Sequence, residues 1–221
     1  MGNYTIRHVI FDFDGTIADS MKLAVELYNQ VADKHKFNKI REEEYEYLRS
    51  LSILEKCKFL NVSLLQIPRV GNDLYRSYNR AISSIEVFNG IKEVILDLKE
   101  KGFKLSIVSS NSSNNIRKFL ANNNLDVFDS IYTAKNIFGK GKAINSFIKK
   151  HNLRNEELVY IGDEHRDIVA SKENKIKVIA VTWGYDSLAM LTQAKPDFII
   201  EKPSEIAAII IGQNNLKLVC D

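Results

Sequence analysis

The sequence predicts an α/β fold in which helices cover both faces of a parallel sheet and a small helical domain is inserted near its start. Two observations support this prediction. Short apolar runs rich in β-branched residues alternate with segments of helical period, a pattern typical of parallel strands joined by right-handed crossovers. Residues 19–84 interrupt the alternation, because they contain helical periods but no convincing strand.

Six runs are predicted to be strands. Each is short and mainly apolar, with many β-branched residues, as expected for strands that are buried on both faces. In chain order they are Arg7–Phe13, Lys104–Ser109, Ser130–Thr133, Leu158–Ile161, Lys177–Thr182 and Asp197–Ile200. Helical segments separate most of them. The segment from Ile91 to Leu98 follows helical spacing, and Gly102 comes after it as a residue favoured just beyond a helix end.

The stretch without strands is predicted to form a helical domain of its own. It holds two apolar stripes at helical spacing, one made of Ala24, Leu27, Tyr28 and Val31 and the other of Leu74, Tyr78, Ala81, Ile82 and Ile85. A segment of this length is too long for a single crossover helix. We therefore predict a helical domain over residues 19–84, placed above the end of the first strand, and a core made of residues 1–18 and 85–221.

Composition excludes several classes of protein. The 221-residue chain has a net charge of +3, which is too small and too dispersed to indicate nucleic-acid binding. The two cysteines, Cys57 and Cys220, form no metal or disulfide motif, and no apolar run approaches the ~20 residues of a membrane span. The N-terminus lacks the pattern of a secretion signal. We expect a cytoplasmic protein whose partner is neither nucleic acid nor a membrane.

The first strand leads into the sequence Asp12-Phe13-Asp14-Gly15-Thr16. Side chains alternate along a strand, so Asp12 and Asp14 are predicted to point the same way. Paired carboxylates are costly to bury without a cation, and their hard oxygens suit Mg²⁺. Gly15 permits a sharp turn with close approach of another group, and Thr16 adds a hydroxyl. The alternative is a solvated turn in which Asp14 caps a helix.

A second acidic cluster follows the strand Leu158–Ile161. Asp163 stands at the strand end and Asp167 lies four residues further on. If this strand neighbours the first, Asp163 joins Asp12 and Asp14 as a third oxygen ligand. For Asp167, metal binding and capping of the following helix are equally compatible with the sequence.

Two further segments supply groups that bind anions. Ser109 and Ser110 end another strand just before a predicted helix, where hydroxyls and backbone amides can hold a phosphate. Lys140 lies between two glycines at the start of a later helix and can reach a phosphate as a point charge. Together these carboxylates, hydroxyls and the lysine form a set suited to metal-assisted phosphoryl transfer to a carboxylate.

With these motifs the sequence resembles the haloacid dehalogenase superfamily, and in particular its phosphoglycolate-phosphatase-like branch. The resemblance covers essentially the whole chain and implies a Rossmann-like, doubly wound parallel sheet with an inserted all-helical cap. It implies Asp12 as a nucleophile that forms an aspartyl-phosphate and Asp14 as the acid and base. It also implies Mg²⁺ held by Asp12, Asp163 and Asp14, the last through its backbone carbonyl.

The resemblance further implies that Ser109 and Lys140 bind the transferring phosphoryl group, to which we add Ser110 and Thr16. Gly141 and Lys142 follow Lys140 where the family usually has proline, so Lys142 is an alternative. Arg49 lies at a position similar to the family's substrate-specificity loop and is either a substrate contact or a surface arginine.

The resulting hypothesis is a Mg²⁺-dependent phosphatase that acts on a small phosphorylated metabolite, either phosphoglycolate-like or a sugar phosphate. A phosphomutase using the same covalent aspartate is an alternative, and a receiver-type signalling module that stores a phospho-aspartate is one from another class. A dehalogenase fits less well, because it needs neither Asp14 nor Asp163. We expect a monomer or a weak homodimer.

Overall fold

The core is a six-stranded parallel sheet in the computed structural model, which describes residues 5–134 and 139–215. In chain order, the strands of the described residues are β1 (His8–Phe11), β2 (Ala18–Asp19), β3 (Glu86–Val87), β4 (Lys104–Ser109), β5 (Ser130–Thr133), β6 (Leu158–Gly162), β7 (Lys177–Val181) and β8 (Phe198–Ile200). The sheet has the order β5-β4-β1-β6-β7-β8. Every described pair in it is parallel, as predicted.

The α-helices of the described residues are α1 (Met21–His35), α2 (Tyr45–Arg49), α3 (Ile53–Phe59), α4 (Ile67–Ala81), α5 (Ile91–Glu100), α6 (Ser113–Asn122), α7 (Lys140–His151), α8 (His165–Glu173), α9 (Leu188–Gln193) and α10 (Ser204–Asn215). None of the helices in the described ranges is both long and apolar enough to cross a membrane. Cys220 lies outside the described residues.

Apolar residues cover the sheet on both faces. Along β1, Val9 and Phe11 belong to the core on one face, which also contains side chains of α5, α6 and α10. Ile10 belongs to the core on the other face, together with side chains of α7, α8 and α9. This alternation within a buried strand explains the continuous apolar run from Val9 to Phe11. The predicted α/β class with helices on both faces is confirmed.

The helical insert has an apolar core of its own and is attached through a small ribbon. Helices α1, α3 and α4 contribute to a cluster that contains Tyr28, Val31 and Val70. The chain enters and leaves the insert through β2 and β3, which pair antiparallel with Ala18 opposite Val87. The predicted boundaries, at 18/19 and 84/85, fall at this ribbon. That the insert is a separate domain stays a prediction.

Strand register brings the chemistry-bearing loops to one edge of the sheet. Phe11 at the end of β1 lies opposite Ile107 of β4 and Ile161 of β6. Because parallel strands end at the same edge, the residues that follow these three strands meet there. Asp12, Ser109 and Asp163 are among them.

Candidate active site

Three buried carboxylates meet at the end of β1. Asp12, Asp163 and Asp167 each place one oxygen within 4.8 Å of the others, and at most 2% of each residue is exposed. Asp12 follows β1, while Asp163 and Asp167 lie in the β6–α8 loop and the first turn of α8. The sequence expectation that Asp163 joins Asp12 thus matches the geometry.

Lys140, at the start of α7, is the cation beside this group. Its Nζ donates to Asp12 Oδ2 at 2.7 Å and also to Asp167 Oδ1. Burial opposes the positive charge, but the carboxylates of Asp12 and Asp167 outweigh it and raise the pKa of Lys140 above its ordinary value. Lys142, the alternative, is exposed. Of the two lysines, the structure places Lys140 in the site.

Asp163 is held by two neighbouring segments. Thr16 Oγ1 donates to its Oδ1 at 2.7 Å, and the backbone amide of Tyr185 donates to its Oδ2 at 2.7 Å. A Cβ atom added to Gly15, where φ is +78°, would lie 2.1 Å from Oδ2, and one added to Gly184 would lie 2.2 Å from it. Both glycines therefore leave the space that Asp163 occupies. Burial raises the pKa of Asp163 well above its usual range.

Asp167 caps α8 and also lies within the acidic group, while its role in metal binding stays a prediction. Its Oδ2 accepts from the backbone amide of Glu164 at 3.1 Å, which caps α8, while its Oδ1 accepts from Lys140. Burial raises the pKa of Asp167 to about 7, against the opposing effect of Lys140. One carboxylate thus fixes the start of the helix and also completes the acidic group.

Asp14 has different partners from Asp12. β1 ends at Phe11, two residues before the predicted end, because the carbonyl of Phe13 accepts amides of the following turn. Asp14 Oδ2 accepts from Asn111 Nδ2 at 2.8 Å, and Oδ1 accepts from the hydroxyl of Tyr78 in the insert. Burial raises the pKa of Asp14. Its carboxylate is not part of the group of three found among the described residues.

The β4–α6 loop lies beside Asp14. Ser109 is buried, and its Oγ accepts from the Asn111 amide at 3.2 Å, which shapes the loop. Ser110 Oγ accepts from the guanidinium of Arg166 at 3.4 Å. Glu164 accepts from the same guanidinium at 2.7 Å and 2.5 Å. This loop therefore brings hydroxyls and one arginine to the same strand edge.

Arg49 joins the insert to the core. Its guanidinium donates to the carbonyls of Thr182 at 3.1 Å and Asp186 at 3.4 Å, and its own carbonyl accepts from the amide of Ser187. Lys56, also in the insert, donates to Asp186 Oδ1 at 2.9 Å. The Arg49 side chain is not among those that line the cavity around Asp14. The predicted role of Arg49 in substrate selection stays a prediction.

Two cavities open between insert and core. One, of about 380 Å³, is lined by Asp14, Asn111, Arg166 and Tyr185 and, from the insert, by Leu27 and Tyr78 among others. The second, of about 560 Å³, is lined mainly by the turn before α3 and by α8, with Lys140 at its inner end. Glu164 and Arg166 line both cavities and so stand between them.

The acidic group has the chemistry of a Mg²⁺ site. Three carboxylates supply the hard oxygen ligands that Mg²⁺ prefers. Asp12 Oδ1 is buried and finds no hydrogen-bond partner within the described ranges, a costly state for a carboxylate oxygen unless a cation or a substrate meets it. The residues present therefore fit the ion.

Sequence reasoning missed several contacts of this site. Tyr78 was assigned only to an apolar stripe, and Asp186 to no role, although its Oδ2 accepts from the amide of His165 beside the acidic group. Asn111, which donates to Asp14, also lies outside the predicted set. For Asn111, its place immediately after Ser109 and Ser110 was the available signal. Tyr78 and Asp186 come from the insert and from a remote loop, and no motif marks them.

Comparisons with known proteins identify the family of the chain. The family of haloacid dehalogenase-like hydrolases matches residues 9–181. A phosphoglycolate phosphatase of Synechococcus elongatus is 30% identical over 202 residues, which cover 91% of this chain and 95% of that protein. The pyrophosphatase PpaX of Listeria innocua is 27% identical over 213 residues, covering 93% and 96%.

A solved structure shares the fold as well. A protein of Clostridium acetobutylicum described as a predicted phosphatase has a TM-score of 0.81 at 20% identity, covering 94% of this chain and 99% of that one. The predicted superfamily and the prediction of a hydrolase are confirmed: the chain belongs to the haloacid dehalogenase-like hydrolase family.

Proposed function

We propose that the protein is a Mg²⁺-dependent phosphatase that hydrolyses a small phosphorylated metabolite through an aspartyl-phosphate on Asp12. The single observation that carries this proposal is the state of Asp12. Lys140 holds one carboxylate oxygen, whereas the other is buried and has no partner in the described ranges, and the residue belongs to the acidic group with Asp163 and Asp167. The phosphatase names of the curated relatives support the same reaction class.

In the first half-reaction, the Asp12 carboxylate attacks phosphorus and a new O–P bond forms. The bond between phosphorus and the leaving oxygen breaks, and its electron pair stays on that oxygen. The Asp14 carboxyl, whose pKa is raised by burial, supplies the proton that this oxygen takes up. The alcohol leaves, and the phosphoryl group remains on Asp12.

In the second half-reaction, water attacks the phosphorus of the aspartyl-phosphate. Asp14, now a carboxylate, takes the proton of the water as the new bond forms. The bond between phosphorus and Asp12 breaks, so inorganic phosphate leaves and both aspartates return to their starting states. Each group thus acts in both halves of the cycle.

An anionic nucleophile and an anionic phosphate repel each other, and positive charge must offset this repulsion before they can react. Lys140 contacts Asp12 directly and offsets part of the repulsion. Asp12, Asp163 and the backbone carbonyl of Asp14 would hold Mg²⁺, which supplies charge neutralisation at the phosphoryl oxygens when bound. Ser109 and Ser110 would donate to the same oxygens from the β4 side.

The cavity beside Asp14 sets the size of the leaving group. Its volume of about 380 Å³ fits a small metabolite such as phosphoglycolate or a sugar phosphate. The insert supplies one wall, so we expect it to act as a cap that excludes water and selects the substrate. A cytoplasmic location and a monomeric or weakly dimeric state remain predictions.

The direct test is phosphate release from p-nitrophenyl phosphate with Mg²⁺ and with EDTA. We expect Asp12→Asn to lower turnover about a thousandfold or more, and EDTA to abolish it reversibly. Asp19→Asn, on the exposed end of β2, is the matched control and should retain activity. Full activity of Asp12→Asn, or indifference to EDTA, would contradict the proposal. A panel of phosphorylated metabolites with product analysis then identifies the substrate and separates hydrolysis from transfer to a second hydroxyl.

A further inference from the structure

Both oxygens of the Asp14 carboxyl are held by side-chain donors. Tyr78, near the end of α4 in the insert, donates its hydroxyl to Oδ1. Asn111, in the β4–α6 loop of the core, donates its amide to Oδ2 at 2.8 Å. A carboxyl group with a donor on each oxygen has a fixed plane, and so a fixed direction for the proton it exchanges.

The orientation of Asn111 is also linked to the insert, although its Oδ1 accepts from the backbone amide of Ser112 at 2.8 Å as well. Asn115 of α6 is fully buried and donates to Asn111 Oδ1 at 2.9 Å, which leaves the Asn111 amide group facing Asp14. Asn79 of α4 in turn donates to Asn115 Oδ1 at 2.7 Å. Tyr78 and Asn79 are adjacent residues, so one turn of α4 supports both hydrogen bonds to the Asp14 carboxyl.

Anchoring of the insert does not account for these contacts. Arg49 and Lys56 already bind the insert to the segment after β7, through the carbonyl of Thr182 and the carboxylate of Asp186. Tyr78, by contrast, donates its hydroxyl to the carboxyl group of Asp14, which exchanges the proton in the proposed mechanism. Both residues line the 380 Å³ cavity. Its phenol is partly buried, which raises its pKa and keeps the hydroxyl a donor at neutral pH.

We infer that Tyr78 is a positioning residue that aims the Asp14 carboxyl at the leaving oxygen only while the insert is seated on the core. The inference rests on the proposed function, because it concerns the proton that passes from Asp14 to the leaving oxygen. That transfer accompanies cleavage of the bond to phosphorus and formation of the bond to Asp12. An opened insert removes Tyr78 and the support of Asn79 together.

The leaving group provides the test. p-Nitrophenolate departs with little need for a proton, whereas an alkoxide, as in β-glycerophosphate, requires one. We expect Tyr78→Phe to lower kcat/KM for β-glycerophosphate about tenfold and that for p-nitrophenyl phosphate less than threefold. The ratio kcat/KM reports transfer to Asp12 and excludes the later hydrolysis of the intermediate.

Asp14→Asn provides the benchmark. It should show the same selectivity in larger degree, and adding Tyr78→Phe to it should cause no further loss with either substrate, because the group that Tyr78 positions is gone. Tyr47→Phe, at an exposed tyrosine of the same insert, should behave as the unaltered protein. Asn79→Ala tests the second support and should shift the same ratio in the same direction, by less.

An equal loss for both substrates in Tyr78→Phe, or a loss that adds fully to that of Asp14→Asn, would overturn the inference and leave Tyr78 a structural contact. Should Tyr78→Phe fold poorly by circular dichroism, the ratio measured for Asn79→Ala decides in its place. Failure of the proposed function has another signature, namely activity in Asp12→Asn. An inactive Asp12→Asn together with an unchanged Tyr78→Phe rejects the inference alone.

Discussion

Replacing Lys140 by methionine tests the electrostatic balance of the site. Lys140 is 2% exposed and lies between Asp12 and Asp167, two carboxylates that are equally buried. Methionine keeps much of the length and the apolar volume but removes the charge. The variant Lys140→Met therefore leaves two buried carboxylates without their common cation.

The expected loss follows from this burial. Removing one partner of a buried ion pair costs about 3–5 kcal/mol, because the remaining charge is left uncompensated. The sign of the pH dependence follows from Asp167. Its pKa is raised from 3.8 to about 7 even with Lys140 present, so the fold prefers its protonated form. Stability from this group is present below pH 3.8 and declines as the pH rises through 7. The deficit of Lys140→Met should thus be large at pH 8 and smaller at pH 5.

Urea unfolding in EDTA measures the effect, with the fluorescence of Trp183, the only tryptophan of the chain, as the probe. The double variant Lys140→Met/Asp167→Asn removes one of the two uncompensated charges and should recover part of the lost free energy of unfolding at pH 8. A loss of stability caused only by poorer packing around the methionine would not be recovered in the double variant. Equal stability of Lys140→Met and the unaltered protein at pH 8, or no recovery in the double variant, would refute the reasoning.

Three further predictions concern other contacts. Gly184→Ala places a Cβ atom 2.2 Å from Asp163 Oδ2, so we expect about tenfold weaker Mg²⁺ binding by titration calorimetry. Burial lowers the pKa of His8 from 6.5 to about 4, so stability from this group is present above pH 6.5 and is lost as the pH falls towards 4. His8→Gln should reduce the stability lost between pH 7.5 and 4.5 by about 2 kcal/mol in urea unfolding. Arg49→Ala removes the bonds to the carbonyls after β7 and should cost about 1–2 kcal/mol and speed proteolysis within the insert.

Each of these has a comparison that can contradict it. Gly212→Ala, in α10 with open space around its Cα, should leave Mg²⁺ affinity unchanged. If it weakens binding as much as Gly184→Ala, the steric argument is wrong. Equal losses on acidification in His8→Gln and the unaltered protein would exclude His8 as their source. Arg41→Ala, which breaks an exposed ion pair, should leave stability and proteolysis unchanged, and matching effects in Arg49→Ala would contradict its anchoring role.

Local patterns predicted the sheet and the acidic group because burial on both faces leaves a direct trace in the sequence. β1 is apolar from Val9 to Phe11, since Val9 and Ile10 face opposite cores. Asp12 and Asp163 were predicted to meet because both follow strands of one parallel sheet, which fixes where those strands end. No knowledge of side-chain packing was needed for either conclusion.

Contacts that cross from the insert to the core left no such trace. Tyr78 fits the helical spacing of apolar residues in α4. This spacing does not indicate which group the tyrosine hydroxyl contacts. The choice between Lys140 and Lys142 depends on where α7 begins and which way its first turn faces, a matter of about 200° of helix rotation that composition does not encode. The Asp14 side chain faces Tyr78 because β1 ends before its predicted last residue. Hydrogen bonds of the following turn determine where the strand ends.

The ribbon of β2 and β3 has a consequence for how such proteins diversify. Because Ala18 lies opposite Val87, the polypeptide departs from the sheet and returns to it at neighbouring points, about 5 Å apart. A segment inserted between β2 and β3 therefore only has to begin and end at adjacent points. A different module, or a short hairpin turn, could be grafted there while the Asp12 loop kept its scaffold, so chemistry and selectivity can evolve as exchangeable parts.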